Sequence, residues 1–187
     1  MQTRQAIPMK VLLVTAFSLL ANLAPLAQAD KSKPGQSATQ VVYYHGDTDL
    51  QRVIDKVPPY STVVCELDHH LEITRPIRIS QPLTLKGLKA RLPGGLRKTQ
   101  ILRVEAPHVR ITGAELHGNY DTVGSGEGRA PLIHIAAGSF RVDRCTFSNS
   151  SKDGVMITPT RDSGDIVGGV VRDIEARSMG RDAVSIS

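Results

Sequence analysis

Eight short segments of this 187-residue chain fall into two alternating series, and the four members of each series resemble one another. The first is LTLKGLKA (83–90), VRITGAEL (109–116), FRVDRCTF (140–147) and VVRDIEA (170–176). The second is ILRV (101–104), LIHI (132–135), VMI (155–157) and VSI (184–186). Alignment makes Leu85, Ile111, Val142 and Val171 equivalent, at separations of 26, 31 and 29 residues. It makes Val104, Ile135, Ile157 and Ile186 equivalent, at 31, 22 and 29. Short apolar-alternating strands that recur every ~20–30 residues mark a solenoid whose coils stack.

No helical periodicity of useful length follows Pro59, which excludes helix-based repeats, and the LxxLxL unit of leucine-rich repeats is missing. The coils are irregular and longer than the roughly 18 residues of a tight hexapeptide helix. The expected fold is therefore all-β: a right-handed parallel β-helix of about four to five coils. Within each first-series unit a two-residue interruption (Lys86-Gly87, Thr112-Gly113, Asp143-Arg144) flips the apolar alternation. A bend there keeps both halves facing inward. Gly87 and Gly113 suit the unusual backbone angles of such a corner. Asp143-Arg144 implies that the corner does not require glycine.

The segment DTDLQRVIDKVPP places Leu50, Val53, Ile54 and Val57 on one helical stripe, with Asp47 or Asp49 as N-cap and Pro58-Pro59 as the stop. An amphipathic helix here is placed to cover the open end of the stack. Residues 1–29 read as a signal peptide: Arg4 and Lys10, an apolar run, and Ala27-Gln28-Ala29 before Asp30. Asn22 and Pro25 interrupt the run, which is short for a membrane span. The expected location is secreted, periplasmic or cell-surface, with no membrane attachment after cleavage. Residues 30–44 read as a polar linker and 45–187 as one domain. That domain is expected to be incomplete, because its last strand, VSIS, leaves an apolar end open.

Without Arg4 and Lys10 the formal charge falls from +5 to +3. With no basic run and few aromatics, a nucleic-acid partner is not expected. Cys65 and Cys145 lie three coils apart, ~14 Å at the strand spacing, whereas a disulfide needs Cα atoms within about 7 Å. Buried free thiols are expected.

The runs DTDLQRVIDKVPPYSTVV, LEITRPIRISQPLTLKG and VRITGAELHGNYD resemble the N-terminal part of pectate-lyase-superfamily right-handed β-helix proteins. SSKDGVMI and GRDAVSIS are similar to the DG-I-x-I turns of that family. The resemblance runs from about Gly46 to Ser187. It implies an exported protein that acts on or binds an acidic polysaccharide of the pectate or alginate class, as a polysaccharide lyase. The alternative is a non-catalytic glycan-binding or cell-surface structural module. A hydrolase is less favoured, because the Asn-Thr-Asp and Asp-Asp segments of polygalacturonases are missing. GxSxG, HExxH, P-loop and CxxC motifs are missing too.

Outward positions of stacked strands form columns with ~4.8 Å steps. One column reads Thr84, Arg110, Arg141, and another Arg78, Arg103, His134, Met156, Ser185. Stacked arginines need a counter-anion. A uronate polymer supplies one through bidentate pairing, and so do Glu or Asp in flanking loops. Asp153 and Asp182 each precede their strand by two residues and should stack roughly 5 Å apart. Such a pair suits Ca²⁺ or the nucleophile and acid of a retaining glycosidase. A turn aspartate that bonds its own backbone accounts for the same residues. In the loop 117–130, Tyr120 suits stacking on a sugar ring, and His117 and Asp121 suit substrate binding or proton transfer. An ordinary surface loop is the alternative. His69-His70 lack a third ligand at metal spacing.

Overall fold

Alternating apolar and polar residues give a strand one face to hide, and parallel pairing with the next repeat hides it cumulatively. The computed structural model describes residues 39–124, 128–159 and 164–187. The expected signal peptide and most of the expected linker lie outside the described residues.

The elements run β1 (Val41–Tyr44), α1 (Leu50–Lys56), β2 (Ser61–Cys65), β3 (Leu71–Glu72), β4 (Ile77–Ile79), β5 (Leu83–Lys86), β6 (Lys89–Arg91) and β7 (Leu102–Val104). They continue as β8 (Arg110–Thr112), β9 (Glu115–His117), α2 (Tyr120–Val123), β10 (Ile133–Ile135), β11 (Arg141–Ser148), β12 (Val155–Ile157), β13 (Val170–Arg177) and β14 (Val184–Ile186). The fold is mostly β, with every strand pairing parallel, in one nine-stranded and one five-stranded sheet.

From β2 onward the chain visits three ladders in rotation. The first holds β1, β2, β5, β8 and the leading halves of β11 and β13. The second holds β3, β6, β9 and the trailing halves of β11 and β13. The third is β4-β7-β10-β12-β14. The register follows the sequence equivalences residue by residue. Leu85 pairs with Ile111, Ile111 with Val142 and Val142 with Val171. Val104, Ile135, Ile157 and Ile186 pair in the same way. The inward side chains of the strands up to β12 form one apolar core, with Phe147, Leu85, Ile111 and Leu116 almost fully buried, whereas Val184 and Ile186 of β14 are exposed.

Between the first and second ladders one residue takes positive φ in four successive repeats: Gly87 (73°), Gly113 (63°), Arg144 (56°) and Asp173 (54°); the β2–β3 corner has none. A Cβ on Gly87 would lie 2.9 Å from the Cys65 carbonyl oxygen, so that corner needs glycine on steric grounds as well. Arg144 and Asp173 meet the same turn at a cost of about 1–2 kcal/mol each.

Asp49 is the N-cap of α1, its side chain accepting from the Gln51 N–H at 2.9 Å. Leu50 and Ile54 bury into the core. At the other end of the helix, the Gln81 side-chain amide donates to the carbonyls of Ile54 (2.7 Å) and Val57 (2.8 Å), as suits the last carbonyls of a helix. The linker reading of residues 41–44 is corrected: they form β1, in register with β2. Cys65 and Cys145 are buried free thiols. Burial pushes the Cys65 thiol up to about 12 and raises that of Cys145 as well. Among the described residues, no helix is long and apolar enough to cross a membrane.

Candidate functional site

The first candidate site grows from the bend between the first and second ladders. Parallel register stacks Thr84, Arg110 and Arg141 in one outward column. The neighbouring column is Lys86, Thr112, Asp143 and Arg172. Asp143 is fully buried, and three guanidinium groups close over it. Arg110 Nη2 donates to both carboxylate oxygens, at 3.0 and 3.3 Å, and Arg141 Nε donates to Oδ2. Arg144 Nε lies 3.5 Å from Oδ1, while its Nη2 donates to Thr112 Oγ1 at 3.0 Å. Thr112 Oγ1 in turn donates to Asp143.

Burial by itself would raise the Asp143 carboxyl pKa. The hydrogen bonds from Thr112, Arg141 and Arg110 outweigh that and hold it well below the usual carboxylate range. A counter-anion for the stacked arginines is thus part of this chain, and it stands on β11 itself and not in a flanking loop. One carboxylate against three guanidiniums still leaves an excess of positive charge. Lys86 is exposed beside it in the same ladder.

Asp153 and Asp182 stand on neighbouring turns, as expected, but in different environments. Asp153 is fully buried. Its Oδ1 accepts from Arg181 Nε (2.8 Å) and the Asp182 N–H (3.2 Å). Its Oδ2 accepts from Arg181 Nη2 (2.7 Å) and Ser185 Oγ (2.9 Å). Four donors fill the four acceptor positions of a carboxylate. Asp182 is exposed and turned towards Arg181 at 3.4 Å. These two residues therefore do not fit a calcium site or an acid–nucleophile pair. Asp153 anchors the Arg181–Ser185 segment to the preceding repeat. Among the described residues no group of three or more His, Cys, Asp or Glu is placed to hold a metal.

The third region is a groove beside the second ladder. Glu72, Arg91, His117 and Ser148 stack in register along β3, β6, β9 and β11. Glu72 and Arg91 are ion-paired at 2.6 Å. The structure brings His117 and Asp121 together through Asn149, which donates to Asp121 Oδ1 (2.8 Å) and faces His117 Nε2 (3.3 Å). Tyr120 donates its backbone N–H to the Asn149 carbonyl, and its ring does not line the groove. Asn149, Ser148, Glu72 and Arg91 were not singled out from sequence. The repeat alignment carries the signal for the ladder residues, since they occupy one outward column with His117. Asn149 lies in the turn after β11 with φ at 55°.

On the third ladder, Arg78, Arg103, His134, Met156 and Ser185 form the expected column. Arg103 pairs with Glu105 at 2.6 Å. Burial, then the positive charges of Arg103 and Lys152, lower the pKa of His134. His70, given no role from sequence, pairs with Glu115 at 3.2 Å. No known protein family matches this chain, and neither does a curated protein or a solved structure.

Proposed function

We propose that this chain is an exported right-handed parallel β-helix protein of the pectate-lyase type that binds an acidic polysaccharide along its arginine-bearing face. The rotation through three parallel ladders, with a positive-φ residue at the same corner of four successive repeats, supports the β-helix reading. The leader-like segment at residues 1–29 supports export.

The observation that carries the functional reading is the Arg110–Arg141–Arg144 cluster over buried Asp143. The carboxylate holds the guanidiniums in place before any ligand arrives, so little side-chain entropy is lost on binding. The uncompensated charge attracts polyanions, and the planar forks match uronate carboxylates. Repeating sites along a polymer suit a surface built from ~4.8 Å steps. Binding is favoured over catalysis because Asp153, the fully buried carboxylate outside this cluster, is saturated by its own neighbours.

Affinity electrophoresis and calorimetry of the full chain with polygalacturonate, alginate and a neutral glucan test the reading. Polyuronate binding should weaken as salt rises. Arg144→Ala, at the most exposed of the three arginines, should weaken it severalfold while leaving the unfolding midpoint nearly unchanged. Equal affinity for the neutral glucan, or no affinity for either polyuronate, refutes the proposal. Ultraviolet absorbance of unsaturated uronide products in the same mixtures separates a lyase from a binding module.

A further inference from the structure

The groove beside the second ladder has the opposite charge character to the arginine face, and it is just as firmly built. Asn119, almost fully buried, donates to the carbonyls of Pro93 (2.9 Å) and Leu96 (2.7 Å) and so ties the two loops that wall the groove. Thr122 Oγ1 accepts from the Gly95 N–H at 3.1 Å across the same gap. On the far side Gly118 lies so close to Asn149 that a Cβ would sit 2.2 Å from its carbonyl oxygen. The walls hold their positions without a ligand.

The polarity of the lining is also fixed. Asn149 Oδ1 accepts the Asp121 N–H at 3.1 Å, so its amide nitrogen must point at the Asp121 carboxylate and at His117 Nε2. An amide N–H cannot face another donor. His117 Nε2 is therefore the acceptor, and Nδ1–H donates to Ser148 Oγ at 2.8 Å. Among the described residues that line the groove, Glu72 and Asp121 face one arginine, Arg91, already paired with Glu72. The balance is negative, which repels a uronate. Carboxylates, an imidazole and a guanidinium together offer charge-assisted acceptors and donors to groups that do both, as hydroxyls do.

We infer that this groove is a recognition site for a neutral, hydroxyl-bearing pyranose. This deepens the proposed function and rests on its saccharide partner: the polymer is an acidic heteropolysaccharide, with uronate at the arginine face and neutral sugar at the groove. Both sites lie on the nine-stranded sheet, and β11 carries a residue of each, Arg141 and Ser148. With no aromatic ring in the lining, the affinity for one sugar unit is on the order of 1 mM.

The test is amide chemical-shift titration of the full chain with neutral methyl pyranosides and, separately, with free galacturonate. The expected result is saturable shifts at Gly94, Gly118 and Asp121 with a neutral sugar, and shifts at Arg110 and Arg141 with galacturonate. Asp121→Asn, and independently Glu72→Gln, should weaken the groove response at least fivefold and leave the galacturonate response intact. Shifts at the groove from galacturonate alone overturn the inference, as do no groove shifts with any neutral sugar or an unchanged response in both variants. Each of these leaves the polyuronate reading standing if polygalacturonate still binds. Groove binding of neutral sugar without polyuronate binding overturns the acidic-polymer reading and keeps the site.

Discussion

Replacing Asp143 with Asn removes the carboxylate under three guanidiniums while preserving shape. Breaking a fully buried ion pair costs ~3–5 kcal/mol, mostly because the surviving charge is left unpaired. Here the surviving arginines have 40%, 38% and 64% of their side chains exposed, so they rehydrate. Asparagine keeps an acceptor for Thr112. What remains is the loss of charged hydrogen bonds at a buried site, and we expect about 2–3 kcal/mol. With a urea m-value of ~1–3 kcal/mol/M, the unfolding midpoint should fall by about 1–2 M.

The same cluster predicts a pH signature. Asp143 has a folded pKa below its unfolded value of about 3.9. Its stabilisation is therefore complete above that value and is lost as pH falls towards the folded pKa. The wild type should lose up to ~1.4 kcal/mol per pH unit more than Asp143→Asn in that acid range. The gap between the two proteins should be constant from about pH 5 to 8 and narrow below about pH 4. Urea titrations at a series of pH values read both effects. A gap under ~0.5 kcal/mol at neutral pH, or one equally wide at about pH 3, refutes the assignment of Asp143 as the anchor of the arginine face.

Two further outcomes follow from packing. Cys65 and Cys145 should react with a thiol reagent only on unfolding, and the chain should migrate identically with and without reductant, since both thiols are buried and unpaired. Gly118→Ala places a methyl 2.2 Å from the Asn149 carbonyl oxygen and should cost about 3 kcal/mol. Gly113→Ala meets no atom within 4 Å and carries only the strain of φ at 63°, so about 1–2 kcal/mol. The reverse ranking in thermal melts contradicts the close-approach argument.

The ladders were legible in the sequence because in-register parallel pairing makes repeat alignment equivalent to a contact map. Val142 had to meet Ile111, and Arg141 had to meet Arg110, once the strands stacked. The amphipathic stripe of α1 and the distance between the cysteines follow from the same periodicities. Periodicity says which column a side chain joins, but not which way a long polar side chain turns or what reaches it from ~30 residues away.

That second kind of information came only from the tertiary structure. Asp143 sits immediately before a positive-φ corner and is carried under the arginines. Asp153, equivalent by repeat to exposed Asp182, is enclosed because Arg181 folds back over it. Asn149 joins His117 to Asp121 from a turn whose φ no apolar pattern encodes. The sequence by itself determined the parallel stack and the membership of each column. Tertiary structure decided which charges are neutralised within the chain and which face solvent, because that depends on corner geometry and burial.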